Sequence, residues 1–97
     1  MLADLTERVR SLVDGKTAPG FDVRFDLGDG EKIHVASEDG RMVVTNDDAP
    51  AATTIKMTPA DLLALLDGEL NPMGAFMGGR LRVEGDMSKV MQLGNLF

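Results

Sequence analysis

Three observations predict an α+β fold in which helices pack over one face of a five-stranded sheet. An amphipathic stretch opens the chain, alternating apolar residues and tight turns fill residues 21–57, and helical signals then return around one further strand. Leu2, Leu5, Val9, Leu12 and Val13 recur at helical spacing, with Gly15 as a stop. From Phe21 the period becomes two: Phe21, Val23, Phe25 and Leu27 alternate with Asp22, Arg24 and Asp26. Gly28-Asp29-Gly30 is turn chemistry, and Ile33 and Val35 resume the alternation, which puts His34 on the opposite, solvent-facing side. Glu38-Asp39-Gly40 turns into a third strand, Arg41 to Asn46. Asn46-Asp47-Asp48-Ala49-Pro50 breaks it before a fourth, Ala52 to Met57. These four strands read as an antiparallel meander.

The second half has helical grammar. Thr58-Pro59-Ala60-Asp61 supplies a capping hydroxyl, Pro at the first helical position and a carboxylate at the third, ahead of Leu62, Leu63, Leu65 and Leu66. Asp67-Gly68 ends that helix. Asn71-Pro72 opens a short helix through Met77, and Gly78-Gly79 stops it. Arg80 to Glu84 reads as a fifth strand, and Gly85-Asp86 starts a final helix with Met87, Val90 and Met91 as its apolar stripe.

Composition limits the function. The 97 residues allow one domain, 1–97, and no apolar run approaches the roughly 20 residues of a membrane span, so stable membrane insertion is not expected. Residues 1–12 lack the layout of a signal peptide. A net charge of −6, with eleven acids against six bases in residues 1–50, repels nucleic acid. Without cysteine there is no disulfide or thiolate, and the lone His34 cannot anchor a zinc site. Asp26 to Glu31 has a faint likeness to a calcium loop, but its flanking strands argue for a hairpin. No serine, histidine and carboxylate fall into a local catalytic pattern, and no glycine-rich phosphate loop leads from a strand into a helix. Neither a catalytic residue, a metal nor a cofactor is expected. The unusual entry is seven Met beside no Trp, no Tyr and only four Phe. Met packs adaptably and specifies one packing poorly.

The run Leu62-Leu63-Ala64-Leu65-Leu66-Asp67-Gly68, followed by residues 71–87 (Asn-Pro-Met-Gly-Ala-Phe-Met-Gly-Gly-Arg-Leu-Arg-Val-Glu-Gly-Asp-Met), closely resembles the sterol carrier protein type-two, or non-specific lipid-transfer, domain family. That family shows a leucine-rich segment ending in Gly, an Asn/Asp-Pro turn, an Ala-Phe-Met core, Gly-Lys-Leu-Lys, a Gly-Asp/Asn-Met turn and an apolar C-terminal helix. Arg80 and Arg82 stand where Lys is common, and Ser88 and Lys89 where Gly and an apolar residue are frequent. The resemblance implies a mixed, mainly antiparallel five-stranded sheet whose helices enclose an apolar pocket or tunnel. It also implies non-enzymatic binding and transfer of a fatty acid, an acyl-CoA or a sterol-like ligand. It places Leu62, Leu66, Met73, Phe76, Met77, Met87, Val90, Met91 and Phe97 along the lipid. The basic cluster of the second half, Arg80, Arg82 and Lys89, supplies either charge-assisted head-group contacts or a solvated strand face.

The spacing of Met73 and Met77, and of Met87 and Met91, puts each pair one helical turn apart. They form either an ordinary core stripe or a deformable wall for an apolar guest. An empty apolar void of about 300 Å³ would cost on the order of 7 kcal/mol at roughly 24 cal/mol per Å³. Against a total stability of about 5–15 kcal/mol, such a pocket is expected to be occupied, collapsed or partly wet. The chain stops at Phe97 rather than at a Ser-Lys-Leu-like signal, so a cytoplasmic domain is expected. Phe97 or a second copy would then cover the tunnel mouth, which counts against sterol as the ligand. The alternative is a homodimeric or partner-docking module with a collapsed pocket; a third reading, an enzyme accessory domain presenting acyl-CoA, rests on analogy alone.

Overall fold

The computed structural model describes residues 2–18 and 20–89. The elements run α1 (Leu2–Val13), β1 (Val23–Gly28), β2 (Glu31–Glu38), β3 (Arg41–Thr45), β4 (Thr53–Lys56), α2 (Pro59–Leu66), α3 (Pro72–Met77) and β5 (Arg82–Gly85). The final helix expected from Asp86 begins at Met87–Lys89, and its remainder lies outside the described residues. No described helix is long and apolar enough to cross a membrane.

The sheet is mixed, with spatial order β3-β2-β1-β4-β5. β4 pairs with β1 in parallel, and the other three pairings are antiparallel. The meander expectation therefore fails at its last step, because β4 lies beside β1 and not beside β3. Register explains how a short connection achieves this. Thr45 is opposite His34, His34 opposite Arg24, and Arg24 opposite Thr54, so the chain leaves β3 at the level where it enters β4. Crossing three strand spacings is a sideways step of about 14 Å, within reach of residues 46–52 at roughly 3.3 Å each.

Those residues cross on the polar face of the sheet and are clasped there. His34 Nε2 lies 3.2 Å from the Pro50 carbonyl oxygen, and Arg24 Nη1 donates to Asp48 Oδ1 at 2.8 Å. His34 is therefore buried under the connection, and not in solvent as alternation alone suggests. The alternation itself holds: Ile33 and Val35 point to the other side, into the core.

That core side receives the helices. Leu5, Val9 and Val13 of α1 are buried in one cluster with Val23, Phe25, Leu27, Ile33, Val35, Val44 and Ile55 from the sheet. They recur at four-residue intervals, so a single stripe of α1 meets the sheet. Met57, the α2 residues Leu62 and Leu65, Ala75 of α3 and Leu81 also join the cluster. An ion pair between Arg8 and Asp67 ties α1 to the end of α2. The calcium-like stretch is the β1–β2 hairpin: Asp26 Oδ1 accepts the Gly28 N–H at 3.0 Å, and Asp29 and Gly30 hold positive φ.

Candidate functional site

Five of the expected lipid-lining residues, Leu62, Leu66, Met73, Phe76 and Met77, sit on two helices whose ends are set by local chemistry. Thr58 Oγ1 accepts the Asp61 N–H at 3.1 Å, capping α2 with Pro59 in its first turn. Asn71 Oδ1 accepts the N–H groups of Met73 and Gly74 at 2.9 and 3.2 Å, capping α3 in the same way. At the far end of α3 the Arg80 and Leu81 N–H groups both reach the Ala75 carbonyl, at 2.9 and 3.2 Å. The chain thus reverses through Gly79, at φ +78°, and drops Leu81 into the core.

α3 is consequently held by Ala75. This residue is buried, and Leu70, just before the cap, packs against the same cluster. These are the staple positions flanking a helix N-terminus. At about 100° per residue, Met73 and Met77 lie roughly 160° around the helix from Ala75 and Phe76 about 100°. The three point away from the core: Met73 is 51%, Phe76 39% and Met77 80% exposed. The structure therefore brings Met73, Phe76 and Met77 onto one apolar, outward face. Leu62 is wholly enclosed in the core, and Leu66 is half-buried at its edge. Met87 is 46% exposed just after β5. Val90, Met91 and Phe97 lie outside the described residues.

Sequence reasoning missed the anchoring roles of Ala75 and Leu70. The signal was available in the spacing, since a hydrophobic residue before an Asn-Pro cap and a small apolar residue four positions after the cap form that staple.

The turn into Met87 has a strict geometric requirement. Gly85 holds φ +106°, and a Cβ there would lie 2.5 Å from the Ala52 carbonyl oxygen. That close approach lets the Asp86 N–H reach the same carbonyl at 3.4 Å. Asp86 Oδ1 then accepts from Ser88 Oγ at 2.6 Å and from the Ser88 N–H at 2.9 Å, which holds its carboxyl below the ordinary aspartate range. Ser88, a departure from the family pattern, thus donates twice to the Asp86 carboxylate that caps this turn.

The basic residues occupy separate surroundings. Arg80 precedes β5, although the sequence suggested a strand from this residue. Its Nη2 lies 2.5 Å from Asp61 Oδ1 on α2, which lowers the Asp61 pKa and raises its own. Arg82 is on β5, opposite Lys56 of β4, and Lys56 pairs with Glu84 at 3.0 Å. Lys89 Nζ is 3.8 Å from Asp86 and 4.8 Å above the Phe21 ring. Two of the three cations therefore already face a carboxylate.

Away from α3, a cleft of about 460 Å³ is bounded by the end of α1 and the β2–β3 turn, with Lys16, Arg41 and Met42 among its lining residues. Among the described residues, none of the expected site residues lines it. Among the described residues no three His, Cys, Asp or Glu side chains converge as a metal site. Ser37 Oγ donates to the Phe21 carbonyl, while the buried His34 faces that of Pro50.

Comparison with known proteins gives a consistent result. The model of the SCP-2 sterol transfer family matches residues 7–97. Sterol carrier protein 2 of Bos taurus is 46% identical over 54 residues, 56% of this chain and 10% of the bovine protein. The chain thus spans about a tenth of the length of the curated relatives that it matches. Sterol carrier protein 2 like 2 of Aedes aegypti superposes with a TM-score of 0.69 at 17% identity, over 99% of this chain and 92% of that one. The sterol carrier protein 2 of the same mosquito, solved as a complex with palmitate, gives 0.65 at 19% identity, over 97% and 87% of the two chains. A sec-alkylsulfatase from a Pseudomonas species, Pisa1, gives 0.67 at 17% identity, over 95% of this chain and 14% of its own. At these identities the structural likeness is one of fold.

Proposed function

The chain belongs to the SCP-2 sterol transfer family, and on that premise we propose that it binds and transfers an apolar lipid without altering it. The observation that carries this reading is the outward face of α3, where Met73, Phe76 and Met77 are displayed in place of the polar residues expected on an exposed helix. Unbranched thioethers beside one aromatic ring can repack around guests of different shape, so the face suits a flexible acyl chain. The palmitate bound by the Aedes relative supports a fatty acid or an acyl-CoA. A rigid sterol uses such deformability less, and we place it behind the acyl ligands.

The energetics allow this without a strong polar anchor. A 16-carbon chain transferred from water gains roughly 13 kcal/mol gross at about 0.8 kcal/mol per methylene. Association costs remove several kcal/mol or more, which leaves affinity in the micromolar range. Arg82, exposed on β5, is the candidate head-group contact, since Arg80 faces Asp61 and Lys89 faces Asp86. Carrying a lipid in this way needs no catalytic residue and no metal.

Equilibrium uptake of a fluorescent fatty acid tests the reading directly. Saturable binding below tens of micromolar, displaced by palmitate or palmitoyl-CoA, is expected; no binding in that range would overturn it. A second reading has its own support in the exposure of Met77. An uncovered apolar face also suits a second copy of the chain or a protein partner. Sedimentation separates the two, because a monomer that carries lipid contradicts the docking reading.

A further inference from the structure

The methionines with described surroundings divide sharply by position. Met77 and Met73 are 80% and 51% exposed on α3 and Met87 is 46% exposed, whereas Met57 is 7% exposed in the core and Met42 is partly buried against that core. The chain contains no cysteine, so no thiol competes for an oxidant. Thioethers are then the most readily oxidised groups, and the accessible ones on α3 coincide with the face assigned above to lipid.

We propose that Met73 and Met77 form an oxidation site at which a peroxide switches apolar binding off, an inference that rests on the lipid-binding reading of the same face. In the step, a lone pair of the thioether sulfur attacks the terminal peroxide oxygen. The S–O bond forms as the O–O bond breaks, and the departing oxygen takes the proton to leave as water, or as an alcohol from an organic peroxide. Sulfur loses two electrons and the peroxide gains them. The product is a polar, chiral sulfoxide that adds a strong acceptor to an otherwise apolar surface. Burying that acceptor against an acyl chain offers it no hydrogen-bond partner, so binding weakens.

The same architecture spares the fold. α3 contributes only Ala75 to the buried core, and Met57 is shielded, so oxidation on the outward face leaves the packing of the sheet unchanged. The change is therefore reversible, because methionine sulfoxide reductases restore the thioether. A damage reaction confined to the core would instead unfold the protein.

The test uses the full chain titrated with hydrogen peroxide and mapped by peptide mass spectrometry, with fluorescent fatty-acid uptake and thermal melting followed in parallel. Met77 and Met73 are expected to oxidise at least five-fold faster than Met57. Affinity should fall at least ten-fold in step with them, with the melting curve unchanged and uptake restored by methionine sulfoxide reductase. Compared only with its own untreated form, M73L/M77L should lose less than about two-fold in affinity on treatment, any loss tracking oxidation of Met87. The proposal is overturned if Met57 oxidises as fast as Met77, if the oxidised chain keeps its affinity, or if peroxide weakens uptake by M73L/M77L as much as by wild type. Absence of uptake before any oxidation is a different result: it removes the lipid reading itself, and the switch with it.

Discussion

Met77→Glu separates folding from function more cleanly than any other single change. Met77 is the last residue of α3 and is 80% exposed, so only about a fifth of its surface is removed from water by the fold. Burying a whole Met side chain is worth about 1.5–3 kcal/mol, so the folded state draws roughly 0.5 kcal/mol from this residue. Glu has nearly the helix propensity of Met, and a charge at the last turn adds only a few tenths of a kcal/mol. Urea denaturation should therefore shift by less than about 1 kcal/mol. A lipid lying on α3 would bury the remaining four-fifths, and the ionised carboxylate would face it without a partner. Losing four-fifths of the Met transfer term, about 1.2–2.4 kcal/mol, alone weakens binding by roughly 8- to 60-fold, and carboxylate desolvation adds to that. Fluorescent fatty-acid titration of wild type and variant reads the difference. Unchanged affinity in a fully folded variant would refute the placement of the lipid against α3.

Three further changes probe the frame that holds this face. Leu62→Ala empties a fully enclosed position and should cost about 2–5 kcal/mol in urea denaturation; a cost below about 1 kcal/mol would contradict its place in the core. Gly85→Ala forces a Cβ to 2.5 Å from the Ala52 carbonyl at φ +106° and should lower stability by at least about 1–3 kcal/mol, measured as a lower melting temperature. Asp61 is held below the ordinary aspartate value of 3.8, chiefly by its hydrogen bond to Arg80. A depressed carboxylate contributes stability fully above its unfolded pKa and loses it as pH falls through the folded one. Asp61→Asn should thus be less stable than wild type at neutral pH, with the gap closing as the pH drops below about 4, in urea melts run from pH 7 to 2.

Much of this architecture is readable from local patterns because local chemistry causes it. Thr58-Pro59 and Asn71-Pro72 start helices by capping N–H groups within three residues, and the positive-φ turns at Gly28–Gly30 and Gly40 end strands in place. The mixed sheet came from the family resemblance, not from the alternation. Pairing of β4 with β1 joins residues about thirty apart, and nothing in Asn46–Pro50 distinguishes a tight turn from a crossing over the sheet. The same gap hid the burial of His34, whose cover is that crossing segment. At the candidate site, spacing placed Met73, Phe76 and Met77 together on one side of a helix. It did not tell whether that side meets the core, because this is decided by Ala75 and Leu81 docking from behind. Arg80 and Arg82 looked equivalent in a strand, but the Ala75 carbonyl captures the chain just before β5 and turns Arg80 toward Asp61.

The position of the bound acyl chain is the quantity on which the account depends. Photo-crosslinking of the full chain with a diazirine-bearing palmitate analogue, followed by peptide mapping, measures it. Labelling concentrated in residues 72–87, at Met73, Phe76, Met77 and Met87, and displaced by unlabelled palmitate, is the result expected. Displaceable labelling confined instead to the cleft beside Lys16, Arg41 and Met42 would contradict it.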